Sequence, residues 1–557
     1  MAGSGLEFRH ESRRLADFKH TPLLPHKHSQ NGPGIAVGDL SGDGLDDVYV
    51  GSGRGQEKAV YLQTEPGRFV RRVLEDDTDF EDMGALFLDA DGDGHLDLYV
   101  VSGGAFLTNN PGDYQDRLYL NDGQGNLRRA AQGLPELTAS GSCVIAADYD
   151  RDGDLDLFVC GRITPGEYPT APRSYLLRND SRPGAPRFTD VTEQVAPGLT
   201  HPGLVTSALW TDFDQDGQVD LILAGEWMPI TFFRNQQGRF TDVTASTGLG
   251  ETSGWWNSLV AGDFNHDGQT DYLAGNLGLN SEYHASPREP LRLYAADFDQ
   301  NGSVDPILSY FIQGKSYPAH SRDLMIDQII AMKGRFKRYD DYAKATFEQV
   351  LSREERKAAR MLESAELRTS YLENLGGGRF ALRPLPLPAQ LAPTFGMLVD
   401  DVDGDGNLDV LMVGNSHATE TQTGWYTASI GCILFGNGDG SFRPVSGASS
   451  GFFVNGDAKG ITELRLDDRR SLVLVTQNND QLRVFSRTAA SGSRVLRLQP
   501  SDAYAVLTLP GGRTRREEFY HGSTYLSQSS RYLTLPRAVE RAVVYDLRGE
   551  ARELQLH

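Results

Sequence analysis

A nine-residue acidic segment recurs seven times along the chain: DLSGDGLDD from Asp39, DADGDGHLD from Asp89, DYDRDGDLD from Asp148, DFDQDGQVD from Asp212, DFNHDGQTD from Asp263, DFDQNGSVD from Asp297 and DVDGDGNLD from Asp401. In each copy, positions 1, 3, 5 and 9 carry Asp, Asn or Ser oxygens, position 6 is Gly, and position 7 offers its backbone carbonyl. A tight turn with side chains at alternate positions gathers these oxygens round one point, as a hard cation such as calcium requires. Gly at position 6 permits the left-handed backbone that turns the next carbonyl inward. Without a cation, two carboxylates about 4 Å apart repel by about 4 kcal/mol at an effective dielectric of about 20. The expected role of the metal is therefore structural.

The expected ligand sets are Asp39, Ser41, Asp43, Leu45 and Asp47; Asp89, Asp91, Asp93, His95 and Asp97; Asp148, Asp150, Asp152, Asp154 and Asp156; Asp212, Asp214, Asp216, Gln218 and Asp220; Asp263, Asn265, Asp267, Gln269 and Asp271; Asp297, Asp299, Asn301, Ser303 and Asp305; and Asp401, Asp403, Asp405, Asn407 and Asp409. Up to seven structural calcium ions follow. These loops are not EF-hands, since no Glu stands at position 12 and the flanks are apolar and β-prone. Ile35 to Val37 precedes the first loop and Val48 to Val50 follows it, while Cys143 to Ala147 and Leu157 to Cys160 flank the third. Each loop thus joins two buried strands. A solvated Asp/Gly turn would account for one copy, but not for seven in the same setting.

A second repeat follows most loops: YLQTEPGRF ending at Phe69, YLNDGQGNL at Leu127, LLRNDSRPGAPRF at Phe188, FFRNQQGRF at Phe240, YLENLGGGRF at Phe380 and LFGNGDGSF at Phe442. Its Asn/Asp/Gly cluster makes a hairpin turn and the closing apolar residue anchors the return strand. One loop hairpin plus one such hairpin gives a four-stranded sheet, the blade of a propeller. The expected fold is all-β, a seven-bladed propeller with calcium loops, a helical insertion and a small C-terminal β-domain; eight blades is the alternative. Blades are expected near 35–72, 84–131, 142–192, 204–244, 256–384, 395–446 and 457–487, the last having lost its acidic loop.

The choice between seven and eight turns on 283–369, where the sixth loop follows the fifth closely and reads as a hairpin inserted in blade five. A helical stretch is expected at about 321–367, from the Ser352/Glu355 capping box and from Ala358, Met361, Leu362 and Ala365 at helical spacing. It would either border a binding site or serve as packing. The domains read as an N-terminal extension packing on the propeller (1–34), the propeller (35–487) and, after a Ser/Gly linker near 488–493, a separate β-module (491–557) with turns at Pro510-Gly-Gly and Arg548-Gly-Glu.

Composition bounds the function. The 557 residues carry a formal charge of -22 and lack the clustered Lys and Arg that neutralise a phosphate backbone, which excludes a nucleic-acid binder. Bound divalent ions would offset much of that charge. No apolar run approaches the roughly 18 to 20 residues that cross a bilayer. With three cysteines there is no disulfide scaffold; Cys143 and Cys160 could pair across a hairpin but read as small buried hydrophobes, and Cys432 has no obvious partner. The opening MAGSGLEFRH lacks the regions of a signal peptide, so an extracytoplasmic location, which suits calcium sites, implies a piece of a longer exported chain.

The seven loops and their apolar flanks resemble the FG-GAP/VCBS repeats of integrin α-chain-like propellers. HGSTYLSQSSRYLTL, from His521, resembles the ASPIC/UnbV module that follows such propellers in the cartilage acidic protein family. PLLPHKHSQNGPGIAVGDLSGDGLDDVYVG, GNLGLNSEYHASPREPLRLYAADFD and LENLGGGRF look like exported repeat proteins of Bacteroidetes-type bacteria. The resemblance implies fold and calcium; in integrin-like propellers the calcium loops stiffen one face while partners engage the other. It implies function poorly, because one fold hosts many functions.

Propellers bind at the channel or on a loop face. Trp255, Trp256 and Asn257, with Asn276, Asn280, Glu282 and Tyr283, would meet at one end of blade five, where Trp faces stack on sugars and Asn or Glu bond hydroxyls; the alternative is that both Trp fill gaps between blades. His320, Arg322 and Asp323 are candidates for chemistry. His26 and His28 are two apart, and on a strand such residues point to opposite faces, which argues against a joint metal site. No nucleophile elbow, phosphate-cradling loop, HExxH or CxxC pair occurs. The expectation is a calcium-stabilised extracytoplasmic recognition or adhesion module for a glycan or a protein partner. One alternative is a polysaccharide lyase or hydrolase centred near His320 and Arg322; another is a structural subunit of an envelope assembly, betrayed by an apolar rim.

Overall fold

The structure, a computed structural model, describes residues 3–13, 15–74, 77–108, 110–489 and 492–556. Residues 490 and 491 of the expected linker, and the outermost residues of the two terminal segments, lie outside them. The expected hairpin pairs fold into antiparallel sheets. Residues 35–73, 82–129, 140–190, 204–242 and 394–445 each run through four strands in chain order, and 458–488 form three. The fifth sheet is split: Ser258–Gly262 and Asp271–Gly275 are completed only by Ser370–Asn374 and Phe380–Pro384.

Among the described residues the first strands of these seven sheets touch in a closed ring. Ile35–Gly38 meets Asp82–Leu88, followed in turn by Ser140–Ala147, Leu204–Thr211, Ser258–Gly262, Thr394–Asp400, Ala458–Arg465 and again Ile35–Gly38. The molecule is a β-propeller, and each sheet is a blade. Strands near the axis are covered on both faces by the neighbouring blades, so Leu204–Thr211 and Asp220–Met228 are buried at every position. Between blades four and five, Leu209, Ile222 and Phe232 pack against Leu259, Tyr272, Leu372 and Phe380. Each such side chain contributes about 1.5–3 kcal/mol on full burial. Cys143 and Cys160 are free thiols in this core, their sulfurs 2.9 Å apart, and Cys432 is buried as well.

The sixth acidic loop lies in a sheet of its own, inserted between the second and third strands of blade five and ordered Lys315–Pro318, Asp305–Ile312, Leu291–Ala296, Arg360–Ser364. The expected helical stretch is five short helices, Arg322–Gln328, Met332–Arg335, Tyr339–Ala343, Phe347–Val350 and Arg353–Ala358. The Ser352/Glu355 capping box forms, but the helix it starts ends at Ala358. Met361 and Leu362 belong to a strand paired with Leu291–Ala296, a correction to the helical reading, because pairing with an open sheet edge satisfies the backbone that a longer helix would. The helices pack Met325, Ile329, Phe336 and Phe347 against Tyr294 and Ile307 of this sheet and Leu23.

After blade seven, Asp502–Leu509, Arg513–Glu518, Arg541–Asp546 and Ala551–Glu553 form one small sheet, and Arg494–Arg497 pairs with Tyr532–Leu535. Between these strands, residues 521–528 leave the sheet and run along the propeller axis. Ala146 N–H donates to His521 O at 2.9 Å, Ser207 Oγ to Thr524 O at 2.9 Å and Met397 N–H to Thr524 Oγ1 at 2.8 Å. Ile35 N–H donates to Leu526 O at 2.9 Å and Ile461 N–H to Ser527 Oγ at 3.1 Å. Gln528 Oε1 accepts from Phe87 N–H at 2.7 Å while its Nε2 donates to Phe87 O at 2.9 Å. One segment thereby fills the channel and bonds blades one, two, three, four, six and seven. It passes so close that a Cβ on Gly34 would stand 2.3 Å from Met83 O and 3.0 Å from Leu526 O.

Candidate functional site

The seven acidic loops share one hydrogen-bond pattern. The position-1 carboxylate accepts the position-6 glycine N–H, as in Gly44 to Asp39 and Gly406 to Asp401. The position-5 side chain accepts the position-7 N–H, as in His95 to Asp93 and Ser303 to Asn301. In the six loops of the blades, the position-9 Asp accepts from the third strand: Gln63 N–H to Asp47, Asn121 to Asp97, Asn179 to Asp156, Asn235 to Asp220, Asn374 to Asp271 and Gly436 to Asp409. In the insertion, Gln328 Nε2 takes that place on Asp305. Position 4 is left-handed even where it is Arg151, Gln215, His266 or Gln300, with φ between 58° and 64°. These loops are built to one geometry at a cost in strain.

That geometry leaves oxygens without partners in buried positions: Asp39 Oδ1, Ser41 Oγ, Asp150 Oδ1, Asp154 Oδ1, Asp212 Oδ1, Asp220 Oδ2 and Asp299 Oδ1. Asp89, Asp91 and Asp97 bring three carboxylates within 4.8 Å, as do Asp148, Asp150 and Asp156. Burial pushes Asp156 and Asp220 up to about 9 and Asp47 and Asp97 up to about 7. Orphaned, mutually repelling hard oxygens fit a hard cation, so these clusters could hold a metal. In loop four Asp214 pairs with Arg234 and Asp212 with Arg516.

The C-terminal unit lies on this acidic face. Arg497 Nη2 reaches Asp39 Oδ2 at 3.0 Å, Arg515 Nη1 donates to Gly406 O at 2.8 Å, and Arg516 N–H donates to Asp263 Oδ2 at 3.1 Å. The acidic face is therefore largely committed within the chain.

The opposite face carries the strand 2–3 loops and residues 17–31, which cross the channel mouth. Lys27 N–H donates to Ala418 O at 2.7 Å, and Tyr525, at the tip of the axial segment, donates to Asn31 O at 2.9 Å. A cavity there is lined by His26, Arg162, Glu226, Trp255, Asn257 and Tyr525, with Lys459 and Phe395 beside them. Glu226 accepts from Arg162 Nη2 at 2.5 Å and lies 2.9 Å from His26 Nε2. Burial and then the Arg162 guanidinium oppose one another at Glu226, and the result lies well below the usual carboxylate range.

The expected ligand residues divide. Trp255 and Asn257 line this cavity, Trp255 lying edge-on to Trp227 and Tyr283. Trp256 is corrected: it is 0% exposed in the core between blades four and five, with Nε1 donating to Thr252 O, and offers no ring face to a sugar. Asn276 is likewise buried and braces Glu366 O. Asn280 is exposed and donates to Leu391 O. His320 is buried, its Nε2 accepting Leu308 N–H at 3.2 Å, and Arg322 is tied to Phe336 O and stacked on Tyr339. His320 thus ties the start of the helical stretch to the strand of Leu308, and Arg322 ties the helices to one another. His26 and His28 are corrected in the other direction. Their segment is not a regular strand, and their ring centroids stand 4.5 Å apart.

Sequence reasoning did not find Arg162, Glu226 or Trp425. The first two were signalled by single charges inside the otherwise apolar runs LFVCGRI and LILAGEWM. Trp425 is 65% exposed and stacks on His417 at 4.3 Å. Its loop touches the insertion through Thr423 Oγ1, which donates to Glu282.

The FG-GAP-like repeat family matches residues 39–100, 89–159 and 212–274. Cartilage acidic protein 1 of Mus musculus is 31% identical over 219 residues, which are 37% of this chain and 31% of the relative. Its Homo sapiens counterpart is 30% identical over 219 residues, 37% of this chain and 30% of the relative. The match thus spans about a third of the length of these curated relatives. Among solved structures, an Agrocybe aegerita lectin that recognises non-reducing terminal N-acetylglucosamine aligns at TM-score 0.35 and 15% identity, over 84% of this chain and 93% of its own. The rhamnogalacturonan lyase YesW aligns at TM-score 0.34 and 12% identity, over 91% of this chain and 73% of its own. No helix among the described residues is long and apolar enough to cross a membrane.

Proposed function

We propose that this chain, an FG-GAP repeat protein with a propeller fold, is an extracytoplasmic recognition module that binds a glycan on the face opposite the acidic loops of its blades. Calcium in those loops would stiffen the far face, Asp, Asn and Ser oxygens and the position-7 carbonyls holding the ions. One observation carries the reading. Trp210, Trp227, Trp255 and Trp256 are buried, whereas Trp425 stands exposed at the rim of the channel mouth. With one ring face backed by His417, the exposed indole offers its other face to a sugar ring while nearby polar groups bond hydroxyls. Asn257, Glu282 and Gln422 supply such groups on this side.

A protein partner is the second reading, favoured by exposed Leu279, Leu387 and Leu391, which adjoin where Leu279 N–H donates to Gln390 O. The test is a glycan-array and polysaccharide pull-down screen with calcium present, read beside an assay for product release, using wild type and Trp425→Ala. Binding without turnover that weakens in the variant supports recognition of a glycan. Turnover replaces it with a lyase or hydrolase, and silence in both transfers the role to a protein partner.

A further inference from the structure

We propose that His26, His28 and Glu226 form a binding site for one divalent transition-metal ion of the zinc class, separate in place and chemistry from the acidic loops. One ligand atom from each of the three residues lies within 4.8 Å of the others. The site is built rather than incidental. Asp17 collects His28 N–H at 2.9 Å, Ser29 N–H at 3.1 Å and Ser29 Oγ at 2.7 Å, and this collar bends residues 26–29 so that both imidazoles turn the same way. Glu226 stands near the end of its strand, where the next residue, Trp227, adopts φ 61°. A left-handed Trp is a costly conformation, kept where the surrounding structure imposes it, and here it flanks Glu226.

The hydrogen-bond inventory fits a bound cation. His26 Nδ1 lies 3.1 Å from Lys27 O, a contact that only Nδ1–H can make, and in the neutral ring this leaves Nε2 as a lone pair facing Glu226 Oε1. A lone pair 2.9 Å from a carboxylate oxygen needs a proton between the two atoms, or a metal ion beside them bonded to both at about 2.0–2.2 Å. A proton would answer that contact alone. Both ring nitrogens of His28 and Glu226 Oε2 are buried with no partner, and each orphaned group of this kind costs about 1–3 kcal/mol. A metal ion takes one nitrogen from each imidazole and an oxygen of Glu226 together, and the second His28 nitrogen, as N–H, faces the adjoining cavity. Arg162, itself buried, grips Glu226 Oε1 and acts as the outer clamp that ligating carboxylates usually have.

Two imidazole nitrogens and one carboxylate suit zinc, cobalt or nickel and not calcium, which takes oxygen only. Three protein ligands leave a position open toward the cavity lined by Trp255 and Tyr525. Because Arg162 already neutralises Glu226, the ion's charge there is uncompensated, so the open position favours hydroxide or a ligand carboxylate. His28 also borders a second cavity of ≈ 440 Å³, lined by Asp17, Leu107, Ile163 and Tyr168, which gives the ion a way in. The assignment is independent of glycan recognition, because metal content is read with no glycan present.

The test uses the whole chain without a polyhistidine tag, held in about 1 mM calcium to saturate oxygen-only sites. Cobalt is titrated in, followed by its visible absorption and by elemental analysis after desalting. The expected result is one cobalt per chain with the intense bands of a nitrogen-ligated ion, displaced by zinc, and bound at least about 100-fold more weakly by His26→Gln/His28→Gln. Circular dichroism establishes that the variant is folded; if it is not, the wild-type spectrum decides alone. No nitrogen-ligated bands in wild type, or equal uptake by a folded variant, overturns the proposal and leaves the cluster with a proton and water.

Discussion

Replacing Gln528 by Ala tests whether the axial segment holds the ring of blades together. The side chain is 3% exposed and makes two bonds to a single residue, Phe87 N–H and Phe87 O, on the innermost strand of blade two. Ala removes both and leaves a backbone donor and acceptor facing a channel that other residues of the segment still fill. Each unsatisfied group costs about 1–3 kcal/mol, so the loss is about 2–5 kcal/mol after partial rescue by water. Against a typical total stability of about 5–15 kcal/mol this is large. Equilibrium unfolding in guanidinium, with calcium present, reads it as a lower midpoint at unchanged slope. Gln528→Glu, which keeps the acceptor but replaces the donor with a buried charge, should cost at least as much. A loss below about 1 kcal/mol in both variants would refute the reasoning, since no buried pair of backbone groups can lose its partners that cheaply.

Other consequences are equally open to measurement. Chelating calcium should lower the melting temperature by many degrees, because each ion at about 100 times its dissociation constant adds about 2.7 kcal/mol; a melting curve indifferent to chelator would remove the structural role of the loops. Trp256→Ala should cost about 3–5 kcal/mol by calorimetry or denaturant melts, as expected for a fully buried aromatic, whereas Trp425→Ala should leave the midpoint within about 0.5 kcal/mol. Glu81, pushed up to about 7 by burial, holds more protons folded than unfolded, so its contribution is greatest below its unfolded value and is lost as pH rises through about 7. Glu81→Gln keeps the acceptor for Arg54 N–H and should raise stability at pH about 8 by about 1–3 kcal/mol with little change near pH about 4.5; equal effects at both would contradict the burial argument.

Much of this was readable from the chain because its strongest signals are local. The acidic loops, the hairpin turns and the Ser352/Glu355 cap each occupy a few adjacent residues, and period-two strands on either side place them. What escaped depends on contacts between distant residues. Gln528 and Phe87 are 441 positions apart, and nothing in LSQSS marks it as the filling of a channel. His26 and His28 were separated by an argument valid for a strand, and the collar round Asp17 makes the segment something else. Trp255 and Trp256 are neighbours in sequence, yet one borders a cavity and the other fills a core, because successive residues face opposite sides. Left-handed Arg151 or Gln300 could not be inferred, since such residues rarely adopt that conformation and the loop imposes it.

The axial segment is a loop anchored at both ends, with Arg513–Glu518 before it and Tyr532–Leu535 after it, each paired within the C-terminal unit. It cannot withdraw like a free tail. Opening the ring and dismantling the C-terminal sheet are consequently one cooperative event, so the two parts should melt together, although only one of them carries the blades. The order of synthesis adds a second consequence. A nascent chain leaves the ribosome with all its blades before the lock exists, and until residues 521–528 arrive the ring has no axle. A chain cut short after blade seven would leave the groups that the segment pairs on six blades without partners, and is expected to be less stable than the whole.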